Sequence, residues 1–453
     1  MPHKLLSAGT AAAVPDDVWR EIKSLETTTP VPLGHAFELY CPFFDSRTDF
    51  RVVDKKKAEA LKAVSACNGG AGLDAAISDR AAYLALQNTD TLTVPLVSIA
   101  RFITGSGIDH PSENGLSFLR PYGVPYLAGS GVKGVLRAAA ERKVLVESHP
   151  DWNIADIWWL FGWEGQAGYL SGNNEMAGYF HAYLDKAGTA HKESMGVFFN
   201  QLGDRKSPQS KEYWLAKLSR RDNDWAEQLT FRGLLDFWDM PLTEASGAVD
   251  VMTPHYGDYY NGDAAPHDAA DPVPISMMTI KSGAKGRLSV QWRNRVLDDG
   301  GTGVLQSLRQ RWQQLLSDLI DDVIKWDGFG AKAAVGYGRF EVDAGVQRKE
   351  ARLVEEQREK ALEQAREREQ TKLAETMSPE DLQIHNVKTA FEADPADKQN
   401  VDRVNALIRE VAGSWDQVSK DSLAELAEQI YKSHPVGSNP KKKRKALLES
   451  LRK

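Results

Sequence analysis

The sequence predicts an α+β protein, a mixed body over 1–345 followed by an all-helical extension over 346–453. Three observations predict it. From Leu92 to Thr104, β-branched residues alternate as in a strand, with Pro95 at its start or edge. From Leu305 to Ile324, the residues Leu305, Leu308, Trp312, Leu315, Leu316, Leu319, Ile320 and Val323 recur at the spacing of one helix face. Near Val346 the composition turns abruptly to Glu, Arg, Lys, Gln and Ala, and pairs such as Glu356/Lys360 fall at i,i+4 helical spacing.

Taken in order, the first fifteen residues carry Ala, Thr and Pro and read as a flexible start. A mostly helical region follows, with Lys55–Leu61 a good helical run. After the predicted strand at 92–104, residues 105–115 hold the Gly, Asp, Pro, Ser and Asn of turns. Val132–Val144 reads as a helix that Ser130 would cap, aiming backbone N–H groups at an anion. The stretch 151–224 is rich in Trp, Gly, Asn and Lys and reads as an insertion or a set of long loops. Strand character returns at Leu229–Phe237, Pro274–Ile280 and Gly286–Trp292, and a last strand covers Gly338–Val342. In the extension, Leu353, Val354, Leu362 and Leu373 form no heptad seam, so the charged run is a solvated helix and not a coiled coil. Ser378-Pro379-Glu380-Asp381 is ordered like a helix start, and a linker at 434–440 leads to the basic run Lys441–Lys445, read as a solvated tail end.

A hydrophobic share of 42% and 12 Trp are ample for a packed interior, which excludes a wholly disordered chain. Cys41 and Cys67, the two cysteines present, make neither a disulfide framework nor a four-cysteine zinc site. The start of the chain lacks a signal-peptide stretch, and the most apolar cluster, Ile157–Phe161, is too short to span a bilayer. The expectation is a soluble, cytoplasmic protein with no membrane association.

Two glycine-bearing basic segments stand out. The first is Gly129-Ser130-Gly131-Val132-Lys133-Gly134-Val135-Leu136-Arg137. The second runs from Gly328 and Gly330 through Lys332 to Gly336-Tyr337-Gly338-Arg339-Phe340. Glycines let a backbone approach a ligand closely, while Lys, Arg, hydroxyl and aromatic groups suit phosphates and unpaired bases. As a pair they point to RNA. The first is neither a Walker A loop, since Gly134 follows Lys133, nor a dinucleotide fingerprint, so the motifs argue against a nucleotide hydrolase. A plain helix-starting turn and a plain helix-to-strand connection are the alternatives. The net charge of -7 is awkward for a nucleic-acid binder and requires a segregated basic face or neighbouring subunits.

A third cluster, Asp250 to Tyr260, gathers His255, Tyr256 and further Tyr and Asp residues. One reading makes His255 a general acid or base for RNA cleavage, assisted by a tyrosine or Lys281. The favoured reading is a polar aromatic loop contacting RNA or a neighbouring subunit, since nothing supplies His255 with a defined partner. Scattered histidines and no ligand-like spacing call for no metal and no cofactor. Asp236 and Asp239, separated by apolar residues, cap a strand end as readily as they hold magnesium.

In order, these motifs resemble the RAMP superfamily of CRISPR-associated proteins. Gly115–Arg120 with Gly123–Gly134 resembles its early motif, Arg232–Phe237 followed by Pro241 its middle motif, and Gly328–Phe340 its glycine-rich closing motif. Within it, Asp250–Tyr256 with Tyr259-Tyr260, and Pro274-Ile275 leading into Thr279-Ile280, resemble the sixth-subunit family of type III-B Cmr effector complexes. The resemblance covers roughly 30–345 and implies an RRM-like, ferredoxin-like antiparallel sheet with helices and long insertions. It also implies a non-catalytic structural subunit near the guide 3′ end, whose partners are guide CRISPR RNA, target RNA and other RAMP subunits. Carried over, Ser130, Lys133 and Arg137 meet phosphates, Lys332, Tyr337 and Arg339 line the RNA path, and His255 and Tyr256 face RNA or a subunit. The glycines at 129, 131, 134, 328, 330, 336 and 338 would then permit backbone approach. Gly131 departs from a frequent hydroxyl residue, and the extension lies outside the common pattern, where an added protein contact is expected. Two alternatives stay open: a metal-independent processing endonuclease using His255, and a RAMP subunit of another type III complex cutting target RNA with a carboxylate such as Asp250.

Overall fold

The computed structural model describes residues 11–24, 31–40, 42–45, 51–52, 56–67, 74, 76–77, 80, 90–164, 169–170, 175–202, 209–220, 225, 228–253, 262, 265, 274–293, 302–411 and 414–452. The chain divides into two compact units, 1–350 and 351–453. Antiparallel sheets and many helices make the first a mixed α/β body, and the second is helical.

The body opens with α1 (Asp16–Ser24) and α2 (Lys57–Ser65). Its start is more ordered than the composition predicts. Ala11 and Ala12 are buried, and the Ala11 N–H donates to the Phe44 carbonyl at 2.7 Å. Strand β1 (Thr91–Ser98) follows, then β2 (Phe118–Leu119), β3 (Val124–Leu127) and α3 (Gly129–Leu145). The first strand stops at Ser98, short of the expected Thr104, and Pro95 lies inside it. The Pro95 carbonyl accepts from the Asp343 N–H at 2.9 Å. Its nitrogen lies on that same side of the strand, where the neighbouring ladder has already ended, so the missing N–H costs no sheet hydrogen bond.

Of the two readings of 151–224, an insertion or a set of long loops, the second does not hold for the described residues, which are largely helices: α4 (Ile154–Phe161), α5 (Glu175–Lys186), α6 (Thr189–Leu202) and α7 (Lys211–Leu218). Between them, α4 runs into the short strand β4 (Gly162–Glu164). Every residue of α4 is buried, so it has no polar face to betray its period. Asn153 and Asp156 nonetheless form a reciprocal capping box at its start. Trp158, Trp163 and Phe199 build an aromatic core, with Trp163 edge-on to Phe199 at 4.9 Å and to Trp158 at 4.9 Å.

The strand expected at 229–237 is two strands in two different sheets, β5 (Thr230–Arg232) and β6 (Leu235–Phe237). Gly233 makes the break: a Cβ there would lie 2.3 Å from the Leu160 carbonyl oxygen, so only glycine lets the two chains cross. Then come β7 (Met240–Pro241), β8 (Gly247–Met252), β9 (Ile275–Ile280), β10 (Lys285–Trp292), α8 (Thr302–Trp326) and β11 (Phe340–Val342).

The main sheet has the order β11-β1-β10-β6, antiparallel at every step. Leu92, Val94 and Leu96 pair with Val290, Leu288 and Gly286 and share the face that meets α8, where Trp292 packs on Trp312 at 5.8 Å. The opposite face is polar, with Thr93 hydrogen-bonded to Ser289 at 3.2 Å. There Arg287 donates to Glu350 at 2.9 Å, in the first turns of α9 (Ala344–Thr376).

In the second unit, α10 (Pro379–Ala393), α11 (Gln399–Val411), α12 (Gln417–Ser433) and α13 (Ser438–Leu451) enclose their own core. Val404, Ile408, Leu423, Ala427, Ile430 and Leu451 are fully buried in it. Ser378 caps α10, accepting from the Asp381 N–H at 3.1 Å. The basic run expected as a tail end lies on α13, whose last residue Leu451 closes this core. No described helix is long and apolar enough to cross a membrane.

Candidate nucleic-acid interface

The first glycine segment is the start of α3. Ser130 is not its cap, because the helix begins one residue earlier, at Gly129, with Ala128 in the cap position and no side-chain cap. An acid takes that role instead. The Asp239 carboxylate accepts from the Gly129 N–H at 2.8 Å, so the anion expected there is the protein's own. Gly129 is glycine for the same reason, since a Cβ would lie 2.1 Å from the Phe237 carbonyl oxygen. Gly131 and Gly134 are different. A Cβ on either would meet nothing, and together with Ser130 they form an exposed, low-relief surface.

Lys133 sits on that surface with no hydrogen bond or ion pair to any described residue. Burial pushes its ammonium pKa down, and the guanidinium of Arg137 pushes it further. Arg232 and Arg293 add to the push, which Glu164 partly opposes. Arg232 and Arg293 are themselves held by Asp236, at 3.2 and 3.0 Å. Arg137 is turned inward: it donates to Glu141 at 2.9 Å and to the buried Tyr169, whose hydroxyl also accepts from the Trp158 indole. Its guanidinium supports the helix and contributes field more than contact.

The second glycine segment joins α8 to β11 and lies on the stretch after β1. Gly338 donates to the Arg101 carbonyl and Ala331 to the Ile103 carbonyl, both at 2.8 Å. Gly328, Gly330, Gly336 and Gly338 all have positive φ. Three of them are pinned by the protein's own backbone, most tightly Gly338, whose Cβ would lie 1.7 Å from the Phe329 oxygen. A Cβ on Gly336 would meet nothing. Arg339 donates to the Trp326 carbonyl at 3.0 Å and to the Lys325 carbonyl, closing the C-terminus of α8. Lys332 is exposed, in the left-handed region, with its ammonium 2.8 Å from the Met252 sulfur.

Asp250 joins three elements. One of its oxygens accepts from Arg101 at 2.6 Å and from the Tyr337 hydroxyl at 2.7 Å, and the other from the Val251 N–H at 2.9 Å. Burial raises its pKa, but these donors outweigh burial and leave it below the ordinary carboxylate value. Tyr337 is pushed up to about 12, by burial and then by its bond to Asp250. The β8–β9 hairpin therefore stands beside the glycine loop. The described run that contains β8 ends at Thr253, and His255 and Tyr256 lie outside the described residues.

Both glycine segments contribute to one groove of about 610 Å³. Helix α3 lines it with Val135, Ala138, Ala139 and Arg142, and the loop with Gly328, Gly330, Ala333, Ala334, Gly336 and Arg339. Arg142 bridges the two sides through Asp327, at 3.0 and 2.9 Å. Ser130, Lys133, Lys332 and Tyr337 are outside it. Sequence reasoning missed Trp326, which lines the groove, is 67% exposed and has the Lys325 ammonium 5.0 Å from its ring. An exposed aromatic beside a cation suits base stacking. Its spacing puts it on the same helix face as Leu319 and Val323, so no sign of its exposure stood in the sequence. Arg101 and Arg142 were also missed, because their partners are distant in sequence.

The model of the RAMP superfamily matches residues 25–341. The CRISPR system Cmr subunit Cmr6 of Pyrococcus furiosus is 26% identical over 262 residues, covering 56% of this chain and 69% of that protein. Its crystal structure aligns at 22% identity over 56% of this chain and 97% of the other, with a TM-score of 0.26. A chain of the type III-B Cmr-beta complex bound to cognate target RNA aligns at 17% identity over 63% of this chain and 70% of the other, with a TM-score of 0.35. Both scores are low, so the family assignment rests on the sequence match.

Proposed function

The chain belongs to the RAMP superfamily, and from that premise we propose that it is a non-catalytic, RNA-binding structural subunit of a type III-B CRISPR effector complex. The observation that carries this reading is the surface of α3 around Lys133. There an ammonium without a described partner lies between two open glycine positions and feels three guanidinium groups. That is a place where a phosphate would be welcome and where no Cβ stands in its way. Likeness to Cmr6 supports placing the chain in a Cmr-type assembly, and a position close to the guide 3′ end and to other RAMP subunits is part of the proposal. Membership of an assembly also accounts for a net charge of -7 on an RNA binder, since neighbouring subunits share the phosphate contacts.

The topology supports an RRM-like body. β1, α3, β6, β10, α8 and β11 follow one another as strand–helix–strand–strand–helix–strand, and the edge-to-edge order β11-β1-β10-β6 is that of a ferredoxin-like sheet. RNA recognition here belongs to the loops and α3 and not to the sheet face. The strand positions on the face opposite α8 are Thr93, Pro95, Arg287, Ser289 and Gln291, none of them aromatic, and the half-buried Trp238 just past β6 lines a pocket there with Pro95, Arg287 and Val346 of α9. Trp326 supplies the stacking surface instead, on the groove shared by α3 and the glycine loop. Asp250, held by Arg101, Tyr337 and the Val251 N–H, acts as a strut between the hairpin and the glycine loop.

A tagged pull-down from the native host tests the reading. The expected result is a set of further RAMP subunits and a spacer-containing RNA of discrete length, with RNA content reduced by Lys133→Gln. A lone protein that cuts repeat RNA in EDTA, and loses that activity on His255→Ala, overturns it in favour of a processing endonuclease. Magnesium-dependent target cutting by the assembly that is lost on Asp250→Ala overturns the non-catalytic role.

A further inference from the structure

The helical unit lies outside the residues matched by the family model, and its charge is strongly divided. Residues 351–440 hold twelve Lys and Arg against eighteen Asp and Glu, whereas 441–453 hold seven against one. Those seven are concentrated on and just beyond α13, which the unit's core fixes in place through Leu451, with Leu447 and Leu448 packed against it.

The arrangement on α13 opposes ordinary helix electrostatics. Its first turn holds no acidic residue, Gly437 offers no side-chain cap, and four of five consecutive cations, Lys441 to Arg444, fall in its first half, toward the positive end of the helix dipole. The pairs Lys441/Arg444, Lys441/Lys445 and Lys442/Lys445 also repel across one turn. Lys445 pairs with Glu449 at 3.8 Å, but Lys441, Lys442 and Lys443 are exposed with no ion pair to any described residue. Arg444 lies over the Tyr431 ring at 4.7 Å and donates to the His434 carbonyl at 2.6 Å. Local rules broken without an internal compensation mark a site whose compensation comes from outside.

We propose that this surface, carried by Lys441, Lys442 and Lys443, is a binding site for the phosphodiester backbone of a nucleic acid. Around the lysines stand Ser438, Asn439 and Pro440, all exposed, while the aromatic group nearby, Tyr431, is half-buried beneath Arg444 and Val436 is the one large apolar side chain exposed just before the helix among the described residues. Protein–protein interfaces are depleted in lysine and anchored by aromatic residues, so this surface fits phosphates better than a protein partner. Phosphate contacts need no base readout, so the site is insensitive to sequence. The inference stands on the second unit alone and does not depend on the reading of the body.

The test uses the full chain and the triple variant Lys441→Gln, Lys442→Gln, Lys443→Gln, with labelled single-stranded RNA and duplex DNA followed by anisotropy across a salt series. The expected result is a slope of log affinity against log salt reduced by about two for the single strand, from three lost contacts. The better-bound of the two probes identifies the natural backbone. The variant is also expected to melt no lower than wild type, because it removes repulsion. An unchanged slope overturns the proposal, as does a lower melting temperature, which would make the lysines structural. A loss of binding to a poly-glutamate peptide with none to nucleic acid also overturns it, in favour of an acidic protein partner. Run beside it, Lys133→Gln separates the two readings. A slope changed only by the triple variant sustains this site and sinks the one on α3, and a slope changed only by Lys133→Gln does the reverse.

Discussion

The two glycine segments look alike in the sequence and are built for opposite purposes. In the loop between α8 and β11, three of four glycines exist because the chain folds onto itself: Gly328, Gly330 and Gly338 each meet a backbone carbonyl where a Cβ would be, and each has positive φ. At the start of α3, only Gly129 meets a backbone carbonyl in the same way, while Gly131 and Gly134 face open space on a surface with Lys133, which has no partner among the described residues. The lesson is that glycine reports close approach without saying to what. The contacts decide whether it serves the fold or a ligand.

Alanine substitution gives the sharpest way to break that contrast. Gly338→Ala places a Cβ 1.7 Å from the Phe329 oxygen at a φ of +69°, and is expected to destabilise the body by about 3 kcal/mol or more. Gly131→Ala is expected to leave stability unchanged or raise it by up to about 1 kcal/mol, as helix propensity dictates. Urea denaturation of both variants measures the pair. Equal losses would erase the distinction between the segments.

The next effect is smaller. Asp239→Ala removes the carboxylate from the Gly129 N–H and is expected to cost about 1 kcal/mol, with Asp239→Asn recovering part of it. RNA affinity should not change in either variant. A marked gain for Asp239→Ala would mean that the start of α3 takes phosphate when its own acid is gone, and that both segments bind ligand through backbone.

A third effect belongs to the loop and depends on pH. Tyr337 is raised to about 12 in the folded protein by burial and its bond to Asp250. A raised folded value means that its contribution is complete below the unfolded value near 10 and is lost as pH climbs through about 12. Asp250 is depressed, so its contribution is present above the unfolded carboxylate value and is lost as pH falls through the folded one. The urea midpoint of Tyr337→Phe should therefore converge on that of wild type at high alkaline pH and lie below it near neutrality. Parallel curves across the alkaline range would show that the bond to Asp250 does not hold the loop.

What the sequence could disclose follows the range of the interactions. The strand at Thr91–Ser98 and the helix at Thr302–Trp326 were visible because each has one buried face and one polar face, which periodicity reads directly. Helix α4 was not, since burial on all sides erases the period, although its Asn153–Asp156 box stood in the sequence. The split of β5 from β6 at Gly233 depends on a carbonyl more than seventy residues earlier. At the candidate site the residue types were legible and their partners were not. Arg137 and Arg339 have the chemistry of phosphate ligands, yet Glu141 and the end of α8 take their guanidinium groups. Lys133 and Lys332 have the same chemistry with no such commitment to a protein oxygen.

That difference between lysines and arginines leads to the smallest effect on stability and the most specific one on function. Lys133 makes no described hydrogen bond, and burial first, then Arg137, Arg232 and Arg293, disfavour its charge more than Glu164 favours it. Lys133→Gln therefore removes repulsion and no contact, and its stability is expected to stay within about 0.5 kcal/mol of wild type. If the open surface of α3 holds a phosphate, the same change weakens RNA binding uniformly across sequences and lowers the salt slope by roughly one. Arg339→Gln should do the opposite, because it uncaps α8 and so loses stability first, with any effect on RNA following from the fold. Binding isotherms in a salt series, paired with urea midpoints, read both. A Lys133 variant that loses stability but keeps its salt slope would make the first segment as structural as the second, and would leave Trp326 and the groove as the remaining RNA-facing surface of the body.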